Sequence, residues 1–337
     1  MSAPERARET LHTLAEGVVF RPVSRGRVRL TGKDARGFLH RMSTQHVEAL
    51  APGEARLSVL TNKQGRVVDV VHHLTLGPEE VVLLGARPEG APIASWLDGF
   101  LFVEKVVLED LTEEGAVILV AGSEAARVAG RLVEGAAALA PWAMASAGSR
   151  VAVRTFDVAD GAAEDEPAFL IWDRALAEAG LADAARGAGA YEADADGLEA
   201  ARVAAGVPAF PGEVSDRVNP LELELHDAIH WSKGCYIGQE VIARIDNYGK
   251  QARVLAGVVV EERDLGKLAV GDELKIDDKP AGELTSVAPV AVGGLPVALA
   301  LARHRGEVEG VHATVTTKDG EVEARLMKRK AAQAPHD

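Results

Sequence analysis

Apolar and polar residues alternate through "RVRLTG" (27–32), which predicts a strand ending in a turn. In "DARGFLHRMSTQ" (34–45), Phe38, Leu39 and Met42 share one face, which predicts a helix with Asp34 as its N-cap. Strand patterns return at "ARLSVLT" (55–61) and "RVVDVVHHLTL" (66–76), joined by the hairpin turn "NKQG", and at "EVVLLGA" (80–86). A helix over 92–102 and a strand over 105–112 follow. The pattern then repeats: a strand at 116–122, then an Ala-rich helix at 123–140 with Ser123 as its N-cap. Paired strands at 150–158 and 168–173 flank the acidic loop "ADGAAEDEP", and helices at 174–186 and 192–205 complete the repeat. Strands joined by hairpins and mixed with helices predict an α+β fold, not a doubly wound parallel sheet. Past residue 250 short strands are punctuated by Gly, Pro and Asp pairs, which predicts an all-β barrel or jelly roll packed on the rest.

The chain has 337 residues, enough for two or three domains. Its longest apolar runs, such as 116–121, are far too short to span a bilayer. The first 17 residues, "MSAPERARETLHTLAEG", carry no apolar stretch of the signal-peptide kind. A single cysteine forms no internal disulfide. These features together predict a cytoplasmic protein without membrane contact. The net charge of −14 disfavours direct nucleic-acid binding. The basic spots at 21–29 and 328–330 lack interleaved aromatics and read as solvated edges.

Neither a Walker loop nor a G-x-G-x-x-G turn is present. "HDAIH" sets His226 and His230 four apart, on one face if helical, with Cys235 nearby. Such residues could bind zinc or form a Cys–His pair. The spacing is common by chance and no fourth ligand is evident, so no metal is expected. The stretch "WSKGCYIGQEVIARIDNYGK" (231–250) is more specific. Val241, Ile242 and Ile245 have helical spacing and Gly249 is a natural stop, so a helix is expected from about Ile237 or Gly238. Cys235 then lies just before a helix N-terminus, where the helix dipole and Lys233 would both favour thiolate. Gly234 and Gly238 would let a ligand or partner backbone approach. The alternative is a tight turn holding an inert thiol. Upstream, the Gly/Pro-rich loop 205–225 carries Glu213, Asp216 and Glu222. A carboxylate there can accept paired N–H donors from a pterin or purine, or can simply be solvated.

Here the pieces join. "KGCYIGQEV" (233–241) resembles the signature of the YgfZ family of folate-binding proteins, relatives of the glycine-cleavage T protein, an aminomethyltransferase. The segments 29–71, 202–222 and 271–303 are similar to that family's N-terminal, second and barrel regions, so the resemblance runs nearly the whole chain from about residue 20. It implies a three-domain T-protein-like cloverleaf around a tetrahydrofolate channel. Two intertwined α+β domains would occupy 18–249, roughly 18–112 with 190–249 and 113–189, and a C-terminal β-barrel would occupy 250–330. It also implies a role in iron–sulfur cluster assembly or repair, with iron–sulfur proteins or assembly factors as partners and an indirect effect on tRNA modification.

Residue by residue, the resemblance places Glu222 at the glutamate that grips the pterin and Phe210 at an aromatic position of the same loop. Asp69 falls where the aminomethyltransferase has an acidic pair, and Arg253 is a candidate for the folate glutamyl tail. Cys235 is the motif cysteine, flanked by Lys233, Gly234, Tyr236, Gly238, Gln239 and Glu240. The chain departs from the aminomethyltransferase pattern at "QGRVVDVV": Arg66 follows Gly65 and Val70 follows Asp69, where paired glycines and paired aspartates stand. Tryptophans that some YgfZ proteins place near folate match about Arg25 and Leu198. The expectation is therefore a folate-dependent accessory protein without glycine-cleavage activity. A true aminomethyltransferase and a folate-free structural adaptor are the alternatives.

Overall fold

The computed structural model describes residues 1–155, 167–249, 251–303 and 307–328. The chain opens with α1 (Ala3–Glu16), whose first turn is closed by the Ser2 N–H donating to the Glu5 carboxylate at 2.6 Å. Then come β1 (Val19–Pro22), β2 (Arg27–Thr31), α2 (Ala35–Met42), β3 (Ala55–Thr61), β4 (Val67–Gly77), β5 (Glu80–Gly85), α3 (Ala91–Asp98) and β6 (Val107–Asp110). The next stretch holds β7 (Ala116–Ala121), α4 (Ala125–Leu132), β8 (Met144–Ala147), β9 (Arg150–Arg154), β10 (Ala168–Asp173), α5 (Glu178–Gly187), β11 (Tyr191–Glu192), α6 (Ala195–Ala204) and α7 (Gln239–Tyr248). The last strands are β12 (Val254–Val259), β13 (Glu273–Ile276), β14 (Lys279–Val287), β15 (Ala298–Ala302), β16 (His312–Thr317) and β17 (Gly320–Lys328).

Three sheets organise these elements. One has the order β3-β4-β5-β2-β6, a second β11-β1-β7-β10-β9-β8, and β12 to β17 close into a barrel. Barrel closure leaves no free strand edge. The β13–β14 hairpin turns through Asp277 and Asp278, whose φ values of 50° and 59° suit the primed turns that match strand twist. One apolar core runs from Leu57, Val59 and Val70 of the first sheet through Val214 and Leu223 to Leu255, Leu299 and Leu326 of the barrel. That continuity fixes the barrel on the α+β part, as its sequence texture predicts.

The division of the α+β part at 112 and 190 differs from the pairing seen. Strand β1 pairs antiparallel with β7 and parallel with β11, so 19–22 and 191–192 sit in the same sheet as 116–173. Helix α1 packs on α6, where Gly197 leaves room: a Cβ there would lie 2.6 Å from the Ala7 carbonyl oxygen. Asp34 does not cap α2 with its side chain, because its carboxylate accepts the Lys105 N–H at 2.8 Å instead. Ser123 is not an N-cap either: α4 starts at Ala125 after Glu124, and the Ala-rich run ends early, at Leu132. "HDAIH" is not a helical face; 226–228 form a single 3-10 turn and Ile229 is extended. The acidic loop near 160 lies outside the described residues.

Candidate functional site

The start of β4 is the hub of the site. Its Val67 N–H donates to the Val218 carbonyl at 2.9 Å, which lays the 206–225 loop along it. In that loop the Asn219 side chain accepts the Leu221 and Glu222 N–H groups, shaping the short turn that carries Glu222. The Glu222 carboxylate is buried and fully engaged. Arg253 reaches both of its oxygens, Nε to Oε1 at 3.0 Å and Nη2 to Oε2 at 3.1 Å. Arg66 Nη1 lies 3.3 Å from Oε2, which also accepts the Asn219 N–H at 3.0 Å. Arg253 is thus spent on Glu222, and Arg66 supplies a second guanidinium where a glycine is expected.

Asp69 sits three residues further along β4 and is also buried. Oδ1 accepts the Val70 N–H at 2.9 Å, while among the described residues Oδ2 has only distant partners, the N–H and Nε of Arg87, each at 3.5 Å. Burial raises the Asp69 pKa to about 6, against the pull of Arg87 and Arg25. Arg87 stacks over the Phe210 ring at 4.9 Å and donates to the Val68 carbonyl at 2.8 Å. Arg25, at a position matched to tryptophan, is bonded to the Ala86 carbonyl at 3.0 Å. Leu198, the other such position, packs with Leu14, Val19 and Ala201. Asp69, Arg87, Phe210 and Arg25 therefore form one group and Glu222, Arg253 and Arg66 another, both hung on the first residues of β4.

Cys235 is exposed, in a loop four residues ahead of α7. Its neighbours alternate: Trp231, Ser232 and Gly234 are exposed, while Lys233 and Tyr236 are buried. Lys233 does not attend the thiol. Its Nζ donates to three carbonyls, of His40 at 2.5 Å and of Ser43 and Gln45 at 2.7 Å each, and lies 5.3 Å from the Tyr236 ring centroid. Burial lowers the Lys233 pKa to about 7 and raises that of Tyr236 to about 12. Gly238 is approached by the chain's own backbone and not by open space: a Cβ there would lie 2.6 Å from the Asn62 carbonyl oxygen. Gly234 has open space around it. Glu240 pairs with Arg244 one turn along α7 at 2.8 Å, and Gln239 is half-buried at the first position of that helix.

Beside Lys233 lies His40, whose ring meets His46 edge-on at 4.7 Å, and His46 in turn meets His230 at a tilt at 5.3 Å between centroids. Burial, with help from Lys233, lowers the His40 pKa to about 4. Among the described residues no group of three or more His, Cys, Asp or Glu side chains is arranged to hold a metal ion. A cavity of about 1080 Å³ opens between the end of α7, the 221–226 segment and the barrel, with Arg253, His226, Asp246 and Arg303 in its wall. Asp69, Glu222 and Phe210 do not line it. The other carboxylates of the loop have different fates. Glu213 is buried against Arg202 and Ser286, tying the loop to β14, and Asp216 is exposed. Sequence reading missed Arg87: it follows β5, 18 residues from Asp69, and only strand pairing brings the two together. No helix among the described residues is long and apolar enough to cross a membrane.

The family described as the GCVT N-terminal domain matches residues 3–233. A chloroplastic protein of Arabidopsis thaliana, named as a candidate transferase, is 27% identical over 82% of this chain, which spans 63% of that relative's length. An aminomethyltransferase of Geobacillus kaustophilus is 27% identical over 71% of this chain and 67% of its own. The solved aminomethyltransferase T of the Bartonella henselae glycine cleavage system superposes with a TM-score of 0.78 at 17% identity, over 96% of this chain and 88% of that one. The likeness at this identity concerns the fold: two α+β units with a closed barrel.

Proposed function

The chain belongs to the GCVT N-terminal domain family, and from that premise we propose that it is a YgfZ-type, tetrahydrofolate-binding accessory protein that supports iron–sulfur proteins in the cytoplasm. One observation carries the reading: the only cysteine of the chain lies exposed in "KGCYIGQEV", on a loop anchored at one end to α2 through Lys233 and at the other to Thr61, the end of β3 before the turn that leads to Arg66 and β4. Folate would enter at β4. Asp69 Oδ2 has acceptor capacity left for pterin N–H groups, and Phe210, with Arg87 over one face of its ring, adds an aromatic wall to the same group. Glu222 fits the pterin only if a donor pair takes the place of Arg66, its most exposed and most distant partner. Arg253 would then stay with Glu222 and hold it. Bound tetrahydrofolate would supply a one-carbon acceptor. Cys235 would face the partner protein, and effects on tRNA modification would follow from the iron–sulfur enzymes served.

Arg66 and Val70 stand where an aminomethyltransferase of one-carbon metabolism has glycine and aspartate, which leaves one acid, Asp69, at that place. The names of the relatives favour that second reading, and a transfer assay with aminomethylated carrier protein separates the two. Calorimetric titration with tetrahydrofolate tests the first requirement. A protein that does not bind folate would be a structural adaptor, and the proposal would fail. A host lacking the protein tests the second: the wild-type chain should restore iron–sulfur enzyme activity and Cys235→Ala should not.

A further inference from the structure

We propose that Lys233 is a positioning residue: its ammonium clamps the Cys235 loop onto the end of α2 and so fixes where the thiol stands. The proposal rests on reading Cys235 as the functional thiol. Helix α2 ends without a glycine; Ser43 follows in an extended conformation, so the last carbonyls of the helix need partners from elsewhere. Ser43 Oγ takes one, donating to the Leu39 carbonyl at 2.8 Å. Lys233 takes the next, His40, together with the carbonyls of Ser43 and Gln45. In its protonated form Lys233 has three N–H donors and meets three acceptors. Among the described residues Lys233 has no ion pair; the three carbonyls and the Tyr236 ring hold it. The groups that face it are His40 from α2, Glu48 from the segment that follows, His73 from β4 and Tyr236 from its own loop, with His46 and His230 beyond His40. A positive charge at a helix C-terminus is favourable in its own right.

The clamp acts with two others. The His230 N–H donates to the Thr44 carbonyl at 3.0 Å and the Ile237 N–H to the Arg41 carbonyl at 3.1 Å. Thr61 Oγ1 donates to the Ile237 carbonyl at 2.6 Å. Cys235 is thus the exposed crest of a short bridge whose footings lie on α2 and on the end of β3. A side chain of equal length without donors would strand three carbonyls, one of them at a helix end.

The test compares Lys233→Met and Lys233→Arg with the wild type by residue-resolved hydrogen exchange. Lys233→Met is expected to speed exchange of the His230 and Ile237 amides by about tenfold or more, while strands β7, β10, β12 and β15 stay as protected as before. Lys233→Arg, which keeps charge and donors, is expected to restore most of that protection and most of the iron–sulfur support in cells. Unchanged exchange at 230–238 in Lys233→Met, or equal losses throughout the chain, would overturn the clamp. Should Lys233→Met not fold, exchange in the unaltered protein decides. The amides of His230 and Ile237 must then open in the same step as those of Thr44 and Gln45, and independent opening overturns the proposal. Loss of cellular support in Cys235→Ala with unchanged exchange in Lys233→Met would sink the clamp and leave the functional reading. Full support by Cys235→Ala would sink that reading, and with it any positioning role for Lys233.

Discussion

Arg253 holds Glu222 in a fork across 31 residues of chain, one guanidinium on both carboxylate oxygens at 3.0 and 3.1 Å. The carboxylate is buried, whereas Arg253 and Arg66 both reach solvent. With two cations on one anion, Glu222→Gln would leave the guanidiniums facing each other around a neutral amide. Removing one member of a fully buried pair costs several kcal/mol; with both arginines partly solvated, about 2 kcal/mol is expected. A urea unfolding midpoint equal to that of wild type would refute this. Tetrahydrofolate affinity should fall by about tenfold in the same variant, because a charge-assisted acceptor is lost.

Arg66→Ala should behave in the opposite sense. Its contact with Glu222 is long, at 3.3 Å, and the arginine side chain is 41% exposed, so the loss of stability is expected to be below about 1 kcal/mol. If the pterin takes the place of Arg66 on Glu222, removing the arginine lowers the cost of entry and tetrahydrofolate binds more tightly. Calorimetry on wild type and variant gives the answer directly. Equal or weaker binding would mean that folate does not use this face of Glu222.

Some of this was legible in the sequence and some was not, for physical reasons. Helix α7 and its stop at Gly249 follow from local spacing and a left-handed glycine, and the barrel from hairpins such as that at Asp277–Asp278. The direction of Lys233 was not legible. It lies two residues from Cys235, but the chain turns there so that Lys233 is buried while Cys235 is exposed, and the carbonyls it serves come from 188 to 193 residues earlier. The side-chain partners of Glu222 come from positions 66 and 253, and that of Asp69 from across a strand pair, so no window of sequence contains them. Helix α1 escaped because its buried stripe, Ala7, Thr10 and Leu14, is small and partly polar and depends on the groove at Gly197.

Asp69 gives a pH signature. Its folded pKa, about 6, lies above the ordinary 3.8, so between pH 4 and 6 the folded state keeps a proton that the unfolded chain has lost. Stability contributed by this group therefore falls as pH rises through that window, by about 2–3 kcal/mol. His40 works against it: its folded pKa, about 4, is below the ordinary 6.5, so its contribution grows as pH rises from 4 to 6.5. His72 and His73, which burial lowers to about 3, act in the same direction as His40, so together the histidines mask the Asp69 slope in wild type. Asp69→Asn cannot ionise, so the difference in unfolding free energy between wild type and variant isolates the carboxyl. That difference should shift against wild type from pH 4 to pH 6 and stay level above it. A difference independent of pH would show that Asp69 titrates at its ordinary position.

The two glycines of the motif should respond very differently to alanine. Gly238 has φ +85°, and a Cβ there would stand 2.6 Å from the Asn62 carbonyl oxygen, 2.9 Å from Thr61 Oγ1 and 3.0 Å from the Gly65 Cα. Backbone must therefore move, either in the turn that leads to Arg66 or in the first turn of α7. Left-handed strain together with this overpacking predicts a loss of about 2–4 kcal/mol for Gly238→Ala. Gly234 meets nothing within 4 Å, so Gly234→Ala should change stability by less than about 1 kcal/mol. The pair also separates packing from function. Gly238→Ala should disturb the Thr61–Ile237 bond and raise the reactivity of Cys235 toward bulky maleimides, because one footing of its bridge is displaced. Gly234→Ala leaves both footings in place, so any loss of iron–sulfur support in cells from that change would come from a partner's contact with the exposed face beside the thiol. Thermal unfolding of both variants decides the first point, and equal costs at the two positions would contradict the close approach of the 62–65 turn to Gly238.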